Sequence, residues 1–262
     1  MRWLLAFAAL VAAAFAHAAE DRFPRVGEAY FVKRDGRVLW AGAADRRLPL
    51  ASLTKMMTAL IALERGDLGA LAKVSRSAAG ATGTRMGLKP GETLRVGDLL
   101  AATVVRSAND ACRALAEHLG KTVTAFIATM NARAAALGMA DTHFEDPCGH
   151  DRPGQFSSAA DLVRLAEAVA QHPEYMRLAR VPEVRISAEG GRTFVLRNTN
   201  ALIGRYAGAI GLKTGYTERA GNCLVALAER DGVRVLVVLL NAPNRWWNAV
   251  GLLDRAFEEP AR

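Results

Sequence analysis

The sequence predicts an α+β protein in which an antiparallel sheet is built from both ends of the chain, flanked by helices, with a helical insertion between. Three observations carry this. Two β-type runs flank Asp35-Gly36 in EAYFVKRDGRVLWAGA, a hairpin signal. Two more flank Asp231-Gly232 in CLVALAERDGVRVLVVLLNA. Between them lie segments whose apolar residues recur at helical spacing.

The elements follow in order. Arg2 precedes WLLAFAALVAAAFAHAA, an apolar run with an A-x-A exit at Ala16-His17-Ala18. Residues 1–18 are therefore expected to be a secretory signal peptide, cleaved near Ala18. No second apolar stretch of spanning length follows, so the mature chain, 19–262, is expected to be exported and to fold as one large domain. After the Asp35-Gly36 hairpin, Leu53, Met56, Met57, Leu60, Ile61 and Leu63 mark a helix that carries Ser52 and ends near Gly66. Residues 67 to 105 are mixed, with Gly80, Gly83 and Gly87 and a Lys89-Pro90-Gly91 turn. Helices are expected at about 110–119 and 122–137, the second stopped by Gly138. DPCGHDRPGQFSS reads as a loop, and Ser158-Ala159-Ala160-Asp161 opens a helix to about 171. Strand-like runs return at 182–188, 192–197 and 209–216, and a helix from about Asn244 to Phe257 closes the chain. The helical subdomain is placed at about 67–170.

Composition narrows the classes. The chain has 262 residues, is 51% hydrophobic and carries a formal charge of +8. Its cations are scattered arginines rather than blocks, and export directs them toward anionic cell-envelope material rather than nucleic acid. The five histidines (His17, His118, His143, His150, His172) show no ligand spacing, so no metal site and no cofactor are expected. Three cysteines, Cys112, Cys148 and Cys223, allow one disulfide plus a free thiol, or none.

The chemistry starts at ASLTKMMTAL, where Ser52 and Lys55 stand three apart and so share a helix face. A serine is a poor nucleophile until a base takes its proton, and a lysine is such a base only when desolvation favours the neutral amine. Taken alone the tetrad is commonplace. It is joined by Ser107-Ala108-Asn109 in VVRSANDACRALAEHLG and by Lys213-Thr214-Gly215 in AIGLKTGYTERAGNC. Ser107 can relay protons between Lys55 and a leaving amine, and Asn109 can hold a substrate amide. Lys213 and Thr214 offer a charge and a hydroxyl to a substrate carboxylate, and Gly215 lets a strand edge approach a bound peptide.

S-x-x-K, S-x-N and K-T-G together are the signature set of penicillin-binding proteins and class A β-lactamases. With LPLASLTKMMTALIALE, RSANDACRALAEHL, FIATMNARAAALGMADTHFEDPCGHD and GLKTGYTERAGNCLVALAERDG, the chain resembles a D-alanyl-D-alanine carboxypeptidase of the low-molecular-weight penicillin-binding class over most of residues 25 to 245. The resemblance implies the β-lactamase/transpeptidase-like fold, with Ser52, Lys55 and Ser107 catalytic and Asn109, Lys213, Thr214 and Gly215 binding substrate. It also implies an oxyanion hole from the backbone N–H groups of Ser52 and Tyr216. Peptidoglycan stem peptides are the implied substrate and β-lactams the implied inhibitors, in the periplasm. A D,D-endopeptidase cutting D-Ala cross-links is the alternative on the same machinery. A β-lactamase lacks support because nothing resembles the glutamate-bearing Ω loop, and a silent peptidoglycan-binding protein would be expected to lose Ser52 or Lys55. Two departures stand out. No C-terminal β domain or membrane anchor is expected after the terminal helix. The family's Pro-x-Gly-Leu stretch reads Pro147-Cys148-Gly149-His150 here, close to the expected site.

Overall fold

Asp35-Gly36 and Asp231-Gly232 make the turns expected of them, both with positive φ. The first joins β1 (Ala29–Arg34) to β2 (Arg37–Gly42), with β1 and β2 antiparallel. The computed structural model describes residues 21–260, so the expected signal peptide and its cleavage near Ala18 lie outside the described residues. After β2 come a 3₁₀ turn (Ala51–Thr54), α1 (Lys55–Arg65), β3 (Leu71–Lys73), α2 (Arg76–Ala79), β4 (Thr93–Arg95) and α3 (Val96–Ala101). A π turn (Ala102–Arg106), α4 (Asn109–Gly120), α5 (Val123–Ala136), α6 (Ala159–Ala170) and α7 (Pro173–Arg180) follow. The chain ends through β5 (Glu183–Ser187), β6 (Thr193–Arg197), β7 (Ala209–Thr217), β8 (Gly221–Arg230), β9 (Val233–Leu240) and α8 (Arg245–Glu258).

The main sheet has five strands in the order β2-β1-β9-β8-β7, every neighbouring pair antiparallel. β1 from the start of the chain pairs with β9 from its end, so both ends complete one sheet as the two hairpin signals require. β8 and β9 are buried on both faces, which is why they read as near-continuous apolar runs. Val225, Leu227, Val238 and Leu240 pack with the helical block around α1 and α6. The alternating Leu224, Ala226, Val237 and Leu239 pack with Ala249, Leu252 and Leu253 of α8. The result is a helix–sheet–helix sandwich in which β7 is left as an edge strand.

Several expected boundaries move. The runs at 182–188 and 192–197 do form strands, but β5 and β6 make a separate two-stranded hairpin outside the main sheet. Their alternation buries only every second side chain, as suits a ribbon lying on the helical block. α3 and α7 were not anticipated, because six and eight residues are too short to show a helical period. The 80–90 stretch is held by Asp110 at the start of α4, whose carboxylate accepts from the N–H groups of Met86, Gly87 and Leu88. Among the described residues no helix is long and apolar enough to cross a membrane.

Of the cysteine alternatives, the structure has the first: Cys112 on α4 is bonded to Cys148, 36 residues on, and Cys223 is a buried free thiol. Closing a loop of that length restricts the unfolded chain by about 4 kcal/mol in the chain-entropy account. The double variant Cys112→Ala/Cys148→Ala should therefore unfold at a clearly lower urea midpoint, with an m-value equal to or above the parent's because its unfolded chain is released, while its far-UV circular dichroism in water stays that of the parent. An unchanged midpoint would show that the bond does not constrain the fold.

Candidate active site

Ser52 lies on the 3₁₀ turn rather than in the helix proper, and that turn runs directly into α1. Ala51 before it has φ of +48°, a left-handed conformation disfavoured for alanine. Two close approaches hold it there. Gly149 has φ of +88°, and a Cβ on it would meet the Ala51 carbonyl oxygen at 2.0 Å. A Cβ on Gly215 would lie 3.1 Å from both the Ser52 nitrogen and the Ala51 Cβ, so any side chain there would crowd β7 against the turn. Tyr216, the next residue on the edge strand, points an exposed side chain to solvent.

Lys55 is 1% exposed, within the apolar company of Met56, Met57, Leu60 and Ile61. Its Nζ stands 2.8 Å from Ser52 Oγ and donates to the Cys148 carbonyl. Burial pulls its pKa down to about 7, partly opposed by the Asp146 carboxylate. Lys213 is held well below the ordinary lysine value by burial first, then by the positive charges of Lys55 and Arg245.

Lys213 is equally enclosed, 2% exposed, and donates to Ser107 Oγ at 2.8 Å and to the Thr214 carbonyl at 3.0 Å. Ser107 is aimed by the π turn that ends α3 and by its own φ of +58°; such π turns recur at functional sites. Among the described residues Ser107 is bonded to Lys213 and not to Lys55, so any relay from Lys55 through Ser107 would need a bridging group. Thr214 Oγ1 is 2.9 Å from Thr199 Oγ1, which orients the hydroxyl. Asn109 opens α4, its Nδ2 donating to the Thr82 carbonyl at 2.6 Å and lying 3.3 Å from His150 Nε2.

All three motifs therefore converge at the foot of β7, and the structure adds residues that the motifs do not contain. Asp146 is one. Its Oδ1 accepts the N–H groups of Cys148, Gly149 and His150, which fixes the loop whose carbonyl meets Lys55. Burial raises its pKa, but the hydrogen bonds and charge of His150 and the two backbone N–H bonds outweigh that and leave it at about 2. Arg245, at the start of α8, donates to the Gly215 carbonyl at 2.6 Å and so brings a cation beneath the edge strand. The Cys112–Cys148 bond joins the helix that starts with Asn109 to the Lys55 loop. Nothing local in the sequence marks Asp146 or Arg245, since their relevance lies in contacts across 91 and 30 residues with Lys55 and Gly215.

Two buried lysines, each against a serine hydroxyl beside an open strand edge, are an arrangement of the serine–lysine class, in which a desolvated lysine can activate a serine. A profile of the D-alanyl-D-alanine carboxypeptidases matches residues 29–244, and the chain belongs to that family. It is 33% identical over 240 residues to the D-alanyl-D-alanine carboxypeptidase DacF of Bacillus subtilis, covering 88% of this chain and 62% of that protein. It is 34% identical to a D-alanyl-D-alanine endopeptidase of Pseudomonas aeruginosa, over 79% of this chain and 68% of that one. The crystal structure of the Streptomyces K15 DD-transpeptidase aligns with a TM-score of 0.84 and 28% identity, over 90% of this chain and 97% of the other. The transpeptidase-like fold expected from the motifs is thereby established.

A base with a pKa of about 7 gains neutral amine as pH rises through that value. Acylation of the protein by a penicillin should therefore climb with pH, be half-maximal near neutrality and level off far below the free lysine pKa of about 10.4. Lys55→Arg keeps the charge but cannot act as a base here, and should acylate about 10²–10⁴-fold more slowly. Stopped-flow acylation across pH checks both; a near-parental rate in Lys55→Arg removes Lys55 from proton transfer.

Proposed function

We infer that this chain is an exported serine D,D-peptidase that cleaves D-alanyl-D-alanine at the end of peptidoglycan stem peptides through an acyl-enzyme on Ser52. The observation that carries this is the pair of serine–lysine contacts at 2.8 Å, Ser52 with Lys55 and Ser107 with Lys213, both lysines buried. Neutral Lys55 takes the Ser52 proton as Oγ adds to the carbonyl of the penultimate D-alanine. The backbone N–H groups of Ser52 and Tyr216 receive the oxyanion, and Gly215 is what lets the two approach. The departing amine of the last D-alanine takes a proton from Ser107, held by Lys213, and the Lys55 ammonium replaces that proton through the bound substrate as bridging group, so that Lys55 is neutral again. Water then gives a proton to Lys55 as it adds to the ester, and Lys55 returns that proton to Ser52 Oγ as the shortened peptide leaves.

The terminal carboxylate is taken by Lys213 and Thr214, with Arg245 adding positive charge behind the strand. A bound carboxylate favours the ammonium form of Lys213, so binding should draw in a proton. Asn109 fixes the stem peptide. Residues 1–18 act as a leader that delivers the catalytic domain, 19–262, to the periplasm, and the Cys112–Cys148 bond suits that oxidising compartment. D,D-endopeptidase action on cross-links is the second reading, supported by the likeness to an enzyme of that name. β-Lactams are the expected inhibitors.

The protein treated with benzylpenicillin should carry one covalent adduct on Ser52 by peptide mass spectrometry, and should release D-alanine from a pentapeptide ending in D-Ala-D-Ala. An adduct on another residue, or none, overturns the acyl-enzyme assignment. Release of D-alanine only from cross-linked dimers selects the endopeptidase reading.

Removing Lys213 deletes a charged hydrogen bond, so Lys213→Ala should lower kcat/KM on that pentapeptide by about 10- to 100-fold. Amidating the peptide's C-terminus should harm the parent in the same measure and the variant hardly at all. Equal penalties in both proteins would show that Lys213 does not meet the carboxylate.

A further inference from the structure

Three arginines outside the catalytic motifs surround a cavity beside them. Arg106 is the residue before Ser107 on the π turn. Arg85 lies between Thr84, whose carbonyl accepts the Asn109 backbone N–H at 2.7 Å, and Met86, whose N–H donates to Asp110. Arg197 ends β6, two residues before Thr199, whose hydroxyl meets Thr214 and whose N–H donates to the Val105 carbonyl at 3.1 Å. Three separate stretches of chain are thus pinned around the catalytic turn, each carrying one cation. With Met86, Phe194 and Leu196 they line a cavity of about 450 Å³. The alternation of β6 turns Phe194 and Leu196 to its buried face, so the floor is apolar and the rim cationic.

All three arginines are exposed. Among the described residues only Arg197 is paired with a carboxylate, that of Glu183 at 3.4 Å. The rim therefore keeps a surplus of positive charge. A guanidinium stays charged at neutral pH, and its planar fork matches a carboxylate. Such a rim over an apolar floor suits an anionic peptide.

The place of the cavity decides which end of a substrate reaches it. In the D,D-peptidase reading the departing amine stands at Ser107, and the carboxylate beside it at Lys213 and Thr214. Atoms further along the amine side run past Arg106 and the end of β6 that carries Arg197. A departing D-alanine ends at its carboxylate and does not extend into the cavity. The second stem peptide of a cross-link continues beyond that point, and brings at least the carboxylate of its own C-terminus.

We propose that Arg85, Arg106 and Arg197 form a subsite for an anionic leaving peptide, so that this chain cuts cross-links between stem peptides as well as free D-Ala-D-Ala ends. The proposal rests on the D,D-peptidase reading and names the leaving group that the site takes. The bond-breaking step is the same for both substrates: the Ser52 ester forms and the amine departs with a proton. Only the size and charge of the departing amine differ. Exposed ion pairs are weak singly, so the preference comes from several cations meeting one peptide.

A purified cross-linked dimer of stem peptides and a pentapeptide ending in D-Ala-D-Ala separate the two leaving groups. In Arg85→Gln/Arg197→Gln, kcat/KM on the dimer should fall about tenfold, the size of two lost exposed charge pairs, with the pentapeptide value kept. Acylation by benzylpenicillin should be unchanged, which reports an intact Ser52 site. Amidating the carboxylates of the leaving peptide should lower the parental value on the dimer by a similar factor, and that of the variant hardly at all. The parental dimer-to-pentapeptide ratio should also fall as NaCl rises from about 0.05 to 0.5 M, because exposed charges are screened. If the variant keeps the parental ratio, or if both substrates lose together with acylation intact, the arginines are solvated surface and the proposal fails. A parental ratio indifferent to amidation and salt overturns it equally, and those two measurements decide alone if the variant acylates slowly through poor folding. A parent that cleaves the pentapeptide but not the dimer refutes the subsite and leaves the D,D-peptidase reading standing. A parent that cleaves neither and takes up no benzylpenicillin refutes that reading, and the subsite with it.

Discussion

Lys55 has to be buried, and nearly everything around it follows from that. An isolated ammonium in an apolar interior is expensive, so the group either finds compensation or loses its proton. Here it does some of each: the Cys148 carbonyl and the Ser52 hydroxyl receive it, Asp146 opposes the desolvation, and the balance falls near neutrality. Too little burial would leave a permanently charged lysine unable to accept a proton, and too strong a carboxylate would have the same effect. Asp146 acts on Lys55 through space only: its Oδ1 is taken by three backbone N–H groups and His150, and no Asp146–Lys55 ion pair forms among the described residues.

The second lysine obeys the same logic with a different outcome. Lys213 is buried beside two cations, Lys55 and Arg245, and all three effects disfavour its charged form. Such a group gains most from an arriving anion. The two lysines therefore divide the work by environment: one is balanced to exchange a proton, the other is left needing a negative partner. A strand edge is the suitable place for the second, because β7 can offer its side chains and its free backbone groups to a peptide along the same line.

Much of the scaffold was legible because it is written locally. Asp35-Gly36 and Asp231-Gly232 give both hairpins, Ser158 caps α6 by accepting from the Asp161 N–H, and Thr122 caps α5. The doubly apolar β8 and β9 announce a central position in the sheet. The motif residues were legible as well, since Ser52 and Lys55 need only three residues of spacing. What stayed hidden is non-local or too short to carry a period. Asp146 reads as a loop aspartate until the loop is laid against Lys55, and Arg245 as a helix-opening cation until α8 is laid under Gly215. Ala51 and Ser107 look ordinary in sequence, yet both adopt a left-handed backbone that no local residue signals. The disulfide needed geometry to choose among three cysteines.

Carboxypeptidase, endopeptidase and transpeptidase reactions pass through one acyl-enzyme and differ in the leaving amine and in the acceptor that follows. Residues that act before and during acylation cannot distinguish them. Discrimination has to come from groups that touch what lies beyond the scissile bond or along the stem peptide. In this chain one such position departs from the family's Pro-x-Gly-Leu stretch: His150, on the 146–152 loop tied to α4 by Cys112–Cys148 and lying against Asn109. A rigid, polar wall there favours a substrate that presents hydrogen-bonding groups at fixed spacing over one held by apolar contact. That is a constraint of shape and polarity set by the loop, separate from the lysine pair.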